Sequence, residues 1–251
     1  MIPLSLQNKI ALITGASQGL GAETARHFVQ AGASVVINYF PDAEGINLSK
    51  AQRLCTELGP QASPLPGDVR STESCQELIN NILNIHGGLD ILINNAGITR
   101  DRTLGKMEEA EWLDVIETNL NGVYRITRQA LPCLREEGRI ISLSSLSAGV
   151  GLFGQSNYAA AKAGLIGFTK VLSREVAKRK ITVNAVAPGL VLTEMGAAVP
   201  ETVRQEWLNH IPLKRFAEPS EIASVLLFLA SPLASYITGQ TLHVNGGWHS
   251  S

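Results

Sequence analysis

Tyr158 and Lys162 are two side chains of this sequence that could together move a proton. A spacing of four residues places both on one face of a helix, about one turn apart. An ammonium beside a phenol favours the phenolate and lowers the pKa of the tyrosine, so an acid that ordinarily titrates near about 10 becomes usable at neutral pH. The same spacing is also common in amphipathic surface helices. The neighbouring residues are small, which indicates that a cofactor or a partner helix lies against this helix: Ala159, Ala160, Ala161, Ala163 and Gly164.

Ser145 precedes Tyr158 by thirteen residues and ends a predicted strand. Its hydroxyl could bind a substrate oxygen that the phenol also contacts, and so hold a carbonyl group for proton transfer. A second interpretation stays open at this point, in which Ser144 or Ser147 only caps a helix or a turn.

Three glycines follow the first predicted strand, in the segment TGASQGLG at residues 14–21. Between a strand and a helix, such a loop can bring backbone N–H groups and the helix N-terminus up to a pyrophosphate. Gly15 permits the tight exit from the strand, Gly19 lets a ligand approach the backbone, and Gly21 lets the helix pack closely on the sheet. A glycine pattern alone could be a plain turn, but its position after the first strand favours a dinucleotide site.

A second small-residue motif, Asn94-Asn95-Ala96-Gly97, ends the fourth predicted strand. Two amides and two small residues leave room for a planar ligand while they satisfy exposed backbone groups. Taken alone, this motif is equally consistent with a turn.

The elements that must position these residues alternate along the chain. Short apolar runs predict strands near residues 9–14, 34–38, 64–68, 89–94, 138–145, 181–187 and 241–244. Helical spacing predicts helices near residues 20–31, 47–58, 72–86, 108–131, 156–179 and 219–230. This alternation predicts the α/β class: a Rossmann-type, doubly wound sheet of about seven parallel strands with helices on both faces. We expect residues 1–251 to form a single domain, with a substrate lid at about residues 190–215 over the carboxyl edge of the sheet.

The composition restricts the function classes. With 21 basic and 22 acidic side chains, the formal net charge is −1, which offers no general attraction to nucleic acid or to an anionic membrane. Each of Cys55, Cys75 and Cys133 lies in a predicted helix without a neighbouring histidine, so we expect reduced thiols. The five histidines lack a partner at metal-ligand spacing, so no catalytic metal is expected. Neither a signal sequence nor a run of membrane-spanning length is found, and we expect a cytoplasmic protein.

Taken together, these motifs closely resemble the short-chain dehydrogenase/reductase family: TGASQGLG, NNAG, Ser145 thirteen residues before Tyr158, YAAAK, and Pro188-Gly189. The resemblance covers essentially the entire chain. It implies that Tyr158 is the catalytic acid/base, that Lys162 holds the nicotinamide ribose and tunes the phenol, and that Ser145 orients the carbonyl. Asn119, in Thr118-Asn119-Leu120, matches the fourth catalytic position, which supports a water in a proton relay through Lys162.

The resemblance also implies a nicotinamide cofactor, with hydride passing between the nicotinamide and the substrate carbon. Asp68 and Val69 would flank the adenine, and the segment from Pro188 would cover the nicotinamide end. The complete set of expected cofactor residues is Gly15, Ser17, Gln18, Gly19, Leu20, Gly21, Asn38, Asp68, Val69, Asn95, Ala96, Gly97, Tyr158, Lys162, Pro188, Gly189, Val191 and Thr193. The alternative for residues 188–193 is a loop without a ligand.

The end of the second strand bears on which cofactor is used. An acidic side chain there would bind the ribose 2′-hydroxyl of NAD and repel the 2′-phosphate of NADP. That strand ends at Asn38 without an acid, and Asp42 comes four residues later, which favours NADP(H). Gln18 and Phe40 stand where a basic residue would support NADP, so NAD(H) stays open.

Within the family, GQSNYAAAKAGLIGFTK and YITGQTLHVNGGW most resemble 3-oxoacyl-acyl-carrier-protein reductases. This implies reduction of a ketone, as in a 3-oxoacyl thioester, to a secondary alcohol. Arg179 matches one basic residue that would meet an acyl carrier protein, whereas Glu136 stands where the other is expected. The lid offers an apolar lining for an acyl chain, or equally residues of the core: Leu192, Met195, Val199 and Trp207. The resemblance also implies a homotetramer.

Two other functions stay open at this stage. One is a sugar, polyol or other secondary alcohol dehydrogenase of the same family, with a small-molecule substrate. The other is a dinucleotide sensor without turnover. A sensor could lose Tyr158 or Lys162 without penalty, and both are present.

Overall fold

The computed structural model describes residues 4–192 and 201–249, the side chains of residues 201–203 excepted. Within these residues, seven parallel strands form one sheet in the order β3-β2-β1-β4-β5-β6-β7. The strands are β1 (Ile10–Ile13), β2 (Ser34–Tyr39), β3 (Ala62–Pro66), β4 (Leu89–Asn94), β5 (Leu134–Leu143), β6 (Thr182–Pro188) and β7 (Thr241–Val244). The prediction of a doubly wound sheet of about seven parallel strands is confirmed.

Helices cover both faces of this sheet. They are α1 (Gly19–Gln30), α2 (Ile46–Leu58), α3 (Thr72–His86), α4 (Glu109–Ile116), α5 (Gly122–Ala130), α6 (Ser147–Val150), α7 (Ser156–Glu175), α8 (Glu201–His210) and α9 (Pro219–Ala230). One hydrophobic core joins the sheet to α1, α2 and α9, and a second joins it to α3, α5 and α7. Because both faces are covered, the central strands are buried: every residue of β4 is buried.

The helix expected over residues 108–131 is interrupted. A turn of π-helix, Glu117–Asn121, separates α4 from α5. Such a turn inserts one extra residue into the helix and redirects the side chains around it. It buries Thr118 and Asn119 at this point, so the interruption places Asn119 inside the protein.

Other predicted boundaries also differ from the structure. The helix expected to reach Arg179 ends at Glu175 and is followed by a 3-10 turn, Ala177–Arg179. The third strand is Ala62–Pro66, so Asp68 lies beyond it. The region expected to be an irregular lid contains α8. Cys133 lies in a turn between α5 and β5 and not in a helix.

The parallel arrangement determines where the polar motifs meet. The carboxyl ends of parallel strands lie along one edge of the sheet, and the residues that follow β1, β4, β5 and β6 therefore share that edge. The glycine-rich segment 14–21, the segment 95–97, Ser145 and Gly189 are those residues. The candidate site lies at this edge.

Candidate active site

Tyr158 is the third residue of α7, and Asn157 fixes the beginning of that helix. The buried side-chain amide of Asn157 donates to the carbonyl oxygens of Arg100 (3.1 Å) and Glu111 (3.2 Å). Its oxygen accepts from the backbone N–H of Tyr158 at 2.7 Å. The start of α7 is thus tied to the segment after β4 and to α4, so Tyr158 sits on a rigid support.

Lys162 lies one turn further along α7 and is 4% exposed. Its ammonium donates a hydrogen bond of 2.6 Å to the carbonyl oxygen of Leu143, at the end of β5, and lies 5.6 Å from the centre of the Tyr158 ring. Ser144 anchors the same region from the other side, because its hydroxyl donates to the carbonyl oxygen of Lys162 at 2.9 Å. Burial lowers the pKa of Lys162 from 10.5 to about 8.

The Tyr158 phenol lies beside the Ser145 hydroxyl, so the structure brings the two expected catalytic groups together. Burial raises the pKa of Tyr158, and the nearby Ser145 hydroxyl only partly opposes this rise. The expectation that the nearby ammonium brings the pKa of Tyr158 down is therefore wrong for this structure. The reason is burial, which disfavours the charged phenolate, while the Lys162 ammonium donates its hydrogen bond to Leu143 and not to the phenol.

Asn119 is held to the backbone of Ile98 by two hydrogen bonds of 2.8 Å, one donated by its amide and one accepted by its oxygen. Gly97 stands between Asn119 and Lys162. A Cβ atom at Gly97 would lie 3.3 Å from Asn119 Oδ1 and 3.6 Å from Lys162 Nζ. A glycine therefore keeps open the space that the two polar side chains border, next to Tyr158.

The glycine-rich segment is supported by two asparagines. Asn38 Oδ1 accepts from the N–H of Gly15 at 3.2 Å, and its amide donates to carbonyl oxygens in and after β3. The amide of Asn95 donates to the carbonyl oxygens of Thr14 (2.8 Å) and Gly15 (3.1 Å). Asn38 is 1% exposed, so its side chain supports the turn from within.

The glycines of this segment fit the roles that their spacing predicts. Gly15 has a φ of 60° and a built Cβ would lie 3.0 Å from the Cα of Ala96, so the turn passes close to the segment after β4. Gly19 has open space where a side chain would point. At Gly21 a Cβ would lie 2.6 Å from Asn95 Nδ2, which shows how closely α1 packs against this segment.

The beginning of α1 suits an anionic ligand. The side chain of Gln18, the N-cap residue, makes no capping hydrogen bond to α1, and the first turn of α1 carries no acidic residue. By contrast, α3 has a Ser71 cap, and α9 begins with a capping box of Glu218 and Glu221. Uncapped N–H groups at a helix N-terminus are donors for phosphate oxygens. Ser17, Gln18 and Leu20 all lie on this turn, at least partly accessible.

The remaining expected cofactor residues also lie along this edge. Burial alone would raise the pKa of Asp68, but its carboxylate accepts three hydrogen bonds from the Arg70 guanidinium and one from the Arg70 backbone N–H, and together these lower the pKa. Val69 is buried against Gly122. Gly189 follows β6, its N–H donating to the carbonyl oxygen of Val244 at 2.9 Å, and Val191 forms a bridge to Ala217. Thr193 lies outside the described residues, as do Met195 and Val199.

Comparison with known proteins agrees with this arrangement. A family profile described as enoyl-(acyl carrier protein) reductase matches residues 15–249. The 3-oxoacyl-[acyl-carrier-protein] reductase FabG of Vibrio cholerae is 44% identical over 248 residues, which cover 98% of this chain and 99% of that protein. The enzyme of the same name from Staphylococcus epidermidis is 42% identical over 247 residues, which cover 96% and 99%. Among solved structures, a short-chain dehydrogenase/reductase from Brucella melitensis, titled glucose/ribitol dehydrogenase, has a TM-score of 0.92 at 34% identity over 98% of both chains.

The chain belongs to the short-chain dehydrogenase/reductase family. As a member of this family it is an oxidoreductase that uses a nicotinamide dinucleotide. The α1 turn and its glycines fit the pyrophosphate of that cofactor, and the space beside Gly97 fits its nicotinamide ribose. When bound, the cofactor supplies the hydride.

The basic residue expected to meet a carrier protein has a structural task in this short-chain dehydrogenase/reductase. The guanidinium of Arg179 donates to the carbonyl oxygens of Leu131, at 2.7 Å, and Leu134. It therefore ties the 3-10 turn after α7 to the end of α5 and the beginning of β5. Glu136 is exposed nearby, and in the lid Trp207 is half-buried while Leu192 is exposed.

Among residues 4–192 and 201–249, no three His, Cys, Asp or Glu side chains lie close enough to hold a metal ion. None of the helices described there is long and apolar enough to cross a bilayer. Burial raises the pKa of Cys55 and of Cys75 to about 11, so these two thiols are poor nucleophiles.

Three residues at the site escaped the sequence analysis: Lys50, Asp101 and Gln155. Lys50 hydrogen-bonds to Gln18 from α2, although thirty-two residues separate them in the chain. Asp101 and Gln155 form a hydrogen bond of 2.7 Å across a separation of fifty-four residues. For Gln155 a signal exists in the sequence: it precedes Tyr158 by three residues, and residues i and i+3 share a helix face. No motif marks the other two.

Proposed function

We propose that this enzyme uses NADPH to reduce the ketone of a 3-oxoacyl thioester to a secondary alcohol, with Asn119, Ser145, Tyr158 and Lys162 as its catalytic residues. The observation that carries the proposal is the contact of the Tyr158 phenol with the Ser145 hydroxyl, beside a buried lysine and next to the glycine-rich turn. Relatives named 3-oxoacyl-[acyl-carrier-protein] reductase, 42–44% identical over nearly their whole length, favour the acyl thioester over other ketones.

Each residue has a defined part in this reaction. The Ser145 hydroxyl donates a hydrogen bond to the substrate carbonyl, which orients it and stabilises the negative charge that develops on its oxygen. Tyr158 donates the proton to that oxygen. Because burial raises the pKa of Tyr158, the phenol stays protonated at neutral pH, as reduction requires. Lys162 and Asn119 lie on either side of Gly97. In this position they would bind the nicotinamide ribose and support the path by which Tyr158 regains its proton.

The direct test is the loss of reduced-nicotinamide absorbance when acetoacetyl-CoA is added to the purified protein with NADPH. We expect rapid oxidation of NADPH. Crotonyl-CoA serves as the control for an enoyl thioester, and ribitol with NADP⁺ as the control for a polyol. Turnover of either control in preference to acetoacetyl-CoA would contradict the proposed substrate but retain the family's chemistry.

The preference for NADPH rests on Lys50. This residue of α2 hydrogen-bonds to the side chain of Gln18, which precedes α1 at the pyrophosphate turn. In this arrangement a cation lies at the glycine-rich turn, on the helix that follows β2, and the adenosine ribose would lie at the end of β2. It offers the 2′-phosphate the positive charge that residues 18 and 40 lack. Asp42 is engaged elsewhere, since its carboxylate accepts from the N–H groups of Ile46 and Asn47 at 2.8 Å each.

Lys50→Gln tests this assignment. A charge-assisted hydrogen bond is worth about 1.5 kcal/mol, so we expect the KM for NADPH to rise about tenfold and the KM for NADH to stay unchanged. Arg53→Gln is the matched control, because it removes the same charge three residues along the same exposed side of α2. Equal losses for both variants, or for both cofactors, would contradict a specific contact with the phosphate.

The organisation of the chain belongs to the same proposal. We propose that residues 1–251 form one domain, because β7, near the C-terminus, pairs with β6, and α9 packs in one core with α1. Residues 190–215 would serve as the substrate lid. We also propose a homotetramer and an acyl carrier protein as the natural carrier of the substrate. The carrier would bind without the help of a basic residue at position 136.

A further inference from the structure

Three polar side chains form a hydrogen-bonded chain that ends beside Ser145. The hydroxyl of Ser147 donates to Gln155 Oε1 at 2.7 Å, and Gln155 Nε2 donates to Asp101 Oδ2 at 2.7 Å. The backbone N–H of Ser147 in turn donates to the Ser145 hydroxyl oxygen at 3.2 Å. The chain therefore reaches from an exposed carboxylate to the hydroxyl that is proposed to hold the substrate.

The carboxylate of Asp101 determines the direction of these hydrogen bonds. A carboxylate only accepts, so it selects the NH₂ end of the Gln155 amide. The amide oxygen then faces Ser147, whose hydroxyl must donate. Without Asp101 the amide could turn over, because a serine hydroxyl can either donate or accept. Asp101 is thus the member of the chain that fixes the orientation of the others.

The backbone holds Asp101 in this position. The N–H of Arg102 donates to the carbonyl oxygen of Gly154 at 2.8 Å, and Asn157 binds the carbonyl oxygen of Arg100. The residues on both sides of Asp101 are therefore bound to the beginning of α7. Gly154 has a φ of 81°, a conformation that glycine adopts without strain and that lets the two segments approach.

We propose that Asp101, acting through Gln155, is a positioning residue of the active site: it orients the Gln155 amide, holds Ser147 at the start of α6, and so presents Ser145 to the substrate carbonyl. This inference rests on the proposed function and assigns two further residues to it. Ser147 is 3% exposed and its hydroxyl is engaged with Gln155, so the contact is part of the folded structure. The Ser145 oxygen accepts the backbone N–H, which leaves its own proton for a carbonyl.

The charge of Asp101 has a second consequence, for Tyr158. Among the described residues, the charged groups that face the phenol are Lys162 from its own helix and Asp101 from the segment after β4. From the segment after β5, the uncharged Ser145 faces it. After burial, the negative charge of Asp101 also raises the pKa of Tyr158. It helps to keep the proton that reduction consumes.

Asp101→Asn separates the charge from the hydrogen bond, because an asparagine oxygen can still accept from Gln155. The readout is the phenolate absorbance of Tyr158 during a pH titration, obtained by subtracting the curve of the same protein with Tyr158→Phe. We expect the titration of Tyr158 to move to lower pH in Asp101→Asn, and the alkaline limit of the reduction rate to move with it. Asp114→Asn, which removes an exposed carboxylate from the adjacent α4, should leave the titration unchanged.

Gln155→Ala tests the positioning role. We expect kcat for acetoacetyl-CoA to fall about tenfold, with the KM for NADPH unchanged, because a small displacement of a reacting group reduces the rate without affecting remote binding. Gln155→Glu places a second carboxylate beside Asp101 and should not restore the rate. An unchanged titration in Asp101→Asn together with full kcat in Gln155→Ala would overturn the inference.

The titration needs no substrate, so the inference can fail independently of the proposed function. A wild-type protein that leaves acetoacetyl-CoA unchanged would remove the proposed function, while the titration would still decide whether Asp101 acts on Tyr158. A wild-type protein that reduces acetoacetyl-CoA, with Tyr158 titrating identically in Asp101→Asn and with full kcat in Gln155→Ala, would remove the inference alone.

Discussion

Tyr158 is the residue on which the proposed proton transfer depends. Tyr158→Phe removes the proton donor and keeps the ring, so we expect kcat for acetoacetyl-CoA to fall by a factor of about 10² to 10⁴. The KM for NADPH should stay close to that of the wild type. The measurement is steady-state oxidation of NADPH, with thermal unfolding to verify that the variant is folded. Full turnover in the variant would exclude Tyr158 as the proton donor.

Lys162 is proposed to be catalytic, and its burial lowers the stability of the folded protein at neutral pH. Its pKa of about 8 in the folded protein lies below its ordinary value of 10.5, because burial disfavours the charged form. The folded state therefore binds the proton less tightly than the unfolded state does. Between pH 8 and 10.5 the unfolded chain carries more protons, and stability rises as the pH rises through this range. At neutral pH the buried charge destabilises the fold.

Lys162→Met should therefore stabilise the protein at pH 7 while it abolishes turnover. We expect a gain of roughly 2 kcal/mol, which is the effect of the pKa shift reduced by the loss of the hydrogen bond to Leu143. The difference from the wild type should shrink as the pH rises from 8 to 10. Denaturant unfolding at pH 7 and pH 10 measures it, and a gain independent of pH would contradict the explanation.

At the scale of elements, the contact between α1 and the segment after β4 leaves little room for an added methyl group. Gly21→Ala would place a methyl group 2.6 Å from Asn95 Nδ2 and 2.8 Å from the Cα of Ala16, so α1 must move away. We expect a loss of about 1–3 kcal/mol in the free energy of unfolding. NADPH binding should weaken as well, because the same helix N-terminus faces the pyrophosphate.

Gly167→Ala is the control for this prediction. Gly167 lies within α7 and is exposed, and an added Cβ there meets nothing within 4 Å. Alanine is the better helix former, so we expect a gain of about 0.5–1 kcal/mol and unchanged NADPH binding. Denaturant unfolding and fluorescence titration with NADPH measure both variants. Equal effects of Gly21→Ala and Gly167→Ala on stability would show that the close packing of α1 against Asn95 is not the cause of the loss.

At the scale of the whole molecule, the helices on one side carry apolar side chains that the chain itself does not cover. Leu113 on α4, Tyr124 on α5 and Val171 on α7 are 47%, 47% and 58% exposed. At the other side, Tyr236 before β7 is fully exposed. Exposed apolar side chains at two separate places suit the two kinds of contact that a tetramer with twofold axes requires.

Light scattering after size exclusion tests this arrangement. We expect the wild type to have four times the chain mass of 26.9 kDa. Val171→Arg should leave a species of half that size, because one of the two contacts would have to bury a charge. Lys170→Glu is the control, because Lys170 is an exposed neighbour of Val171 and the substitution replaces one charged side chain with another. A monomeric wild type would contradict the tetramer.

Much of the site could be predicted from the sequence because its residues follow strand ends. The glycines of residues 14–21, the segment 95–97, Ser145 and Gly189 each come directly after a strand, and parallel strands bring their carboxyl ends to one edge. Tyr158 and Lys162 needed only the helical repeat. Local pattern and the rule for parallel sheets were therefore sufficient for these residues and for the order of the elements.

What the tertiary structure decided depends on contacts between distant segments and on burial. Lys50 and Gln18, or Asp101 and Gln155, meet only because α2 and the segment after β4 fold back over the edge of the sheet, and no local pattern encodes such pairs. The direction in which the pKa of Tyr158 moves is a second case: spacing showed an ammonium nearby, but burial outweighs it. Sequence alone determined which groups are present and their order along the fold. Desolvation and long-range hydrogen bonds, which exist only in the folded chain, determined how those groups are charged and oriented.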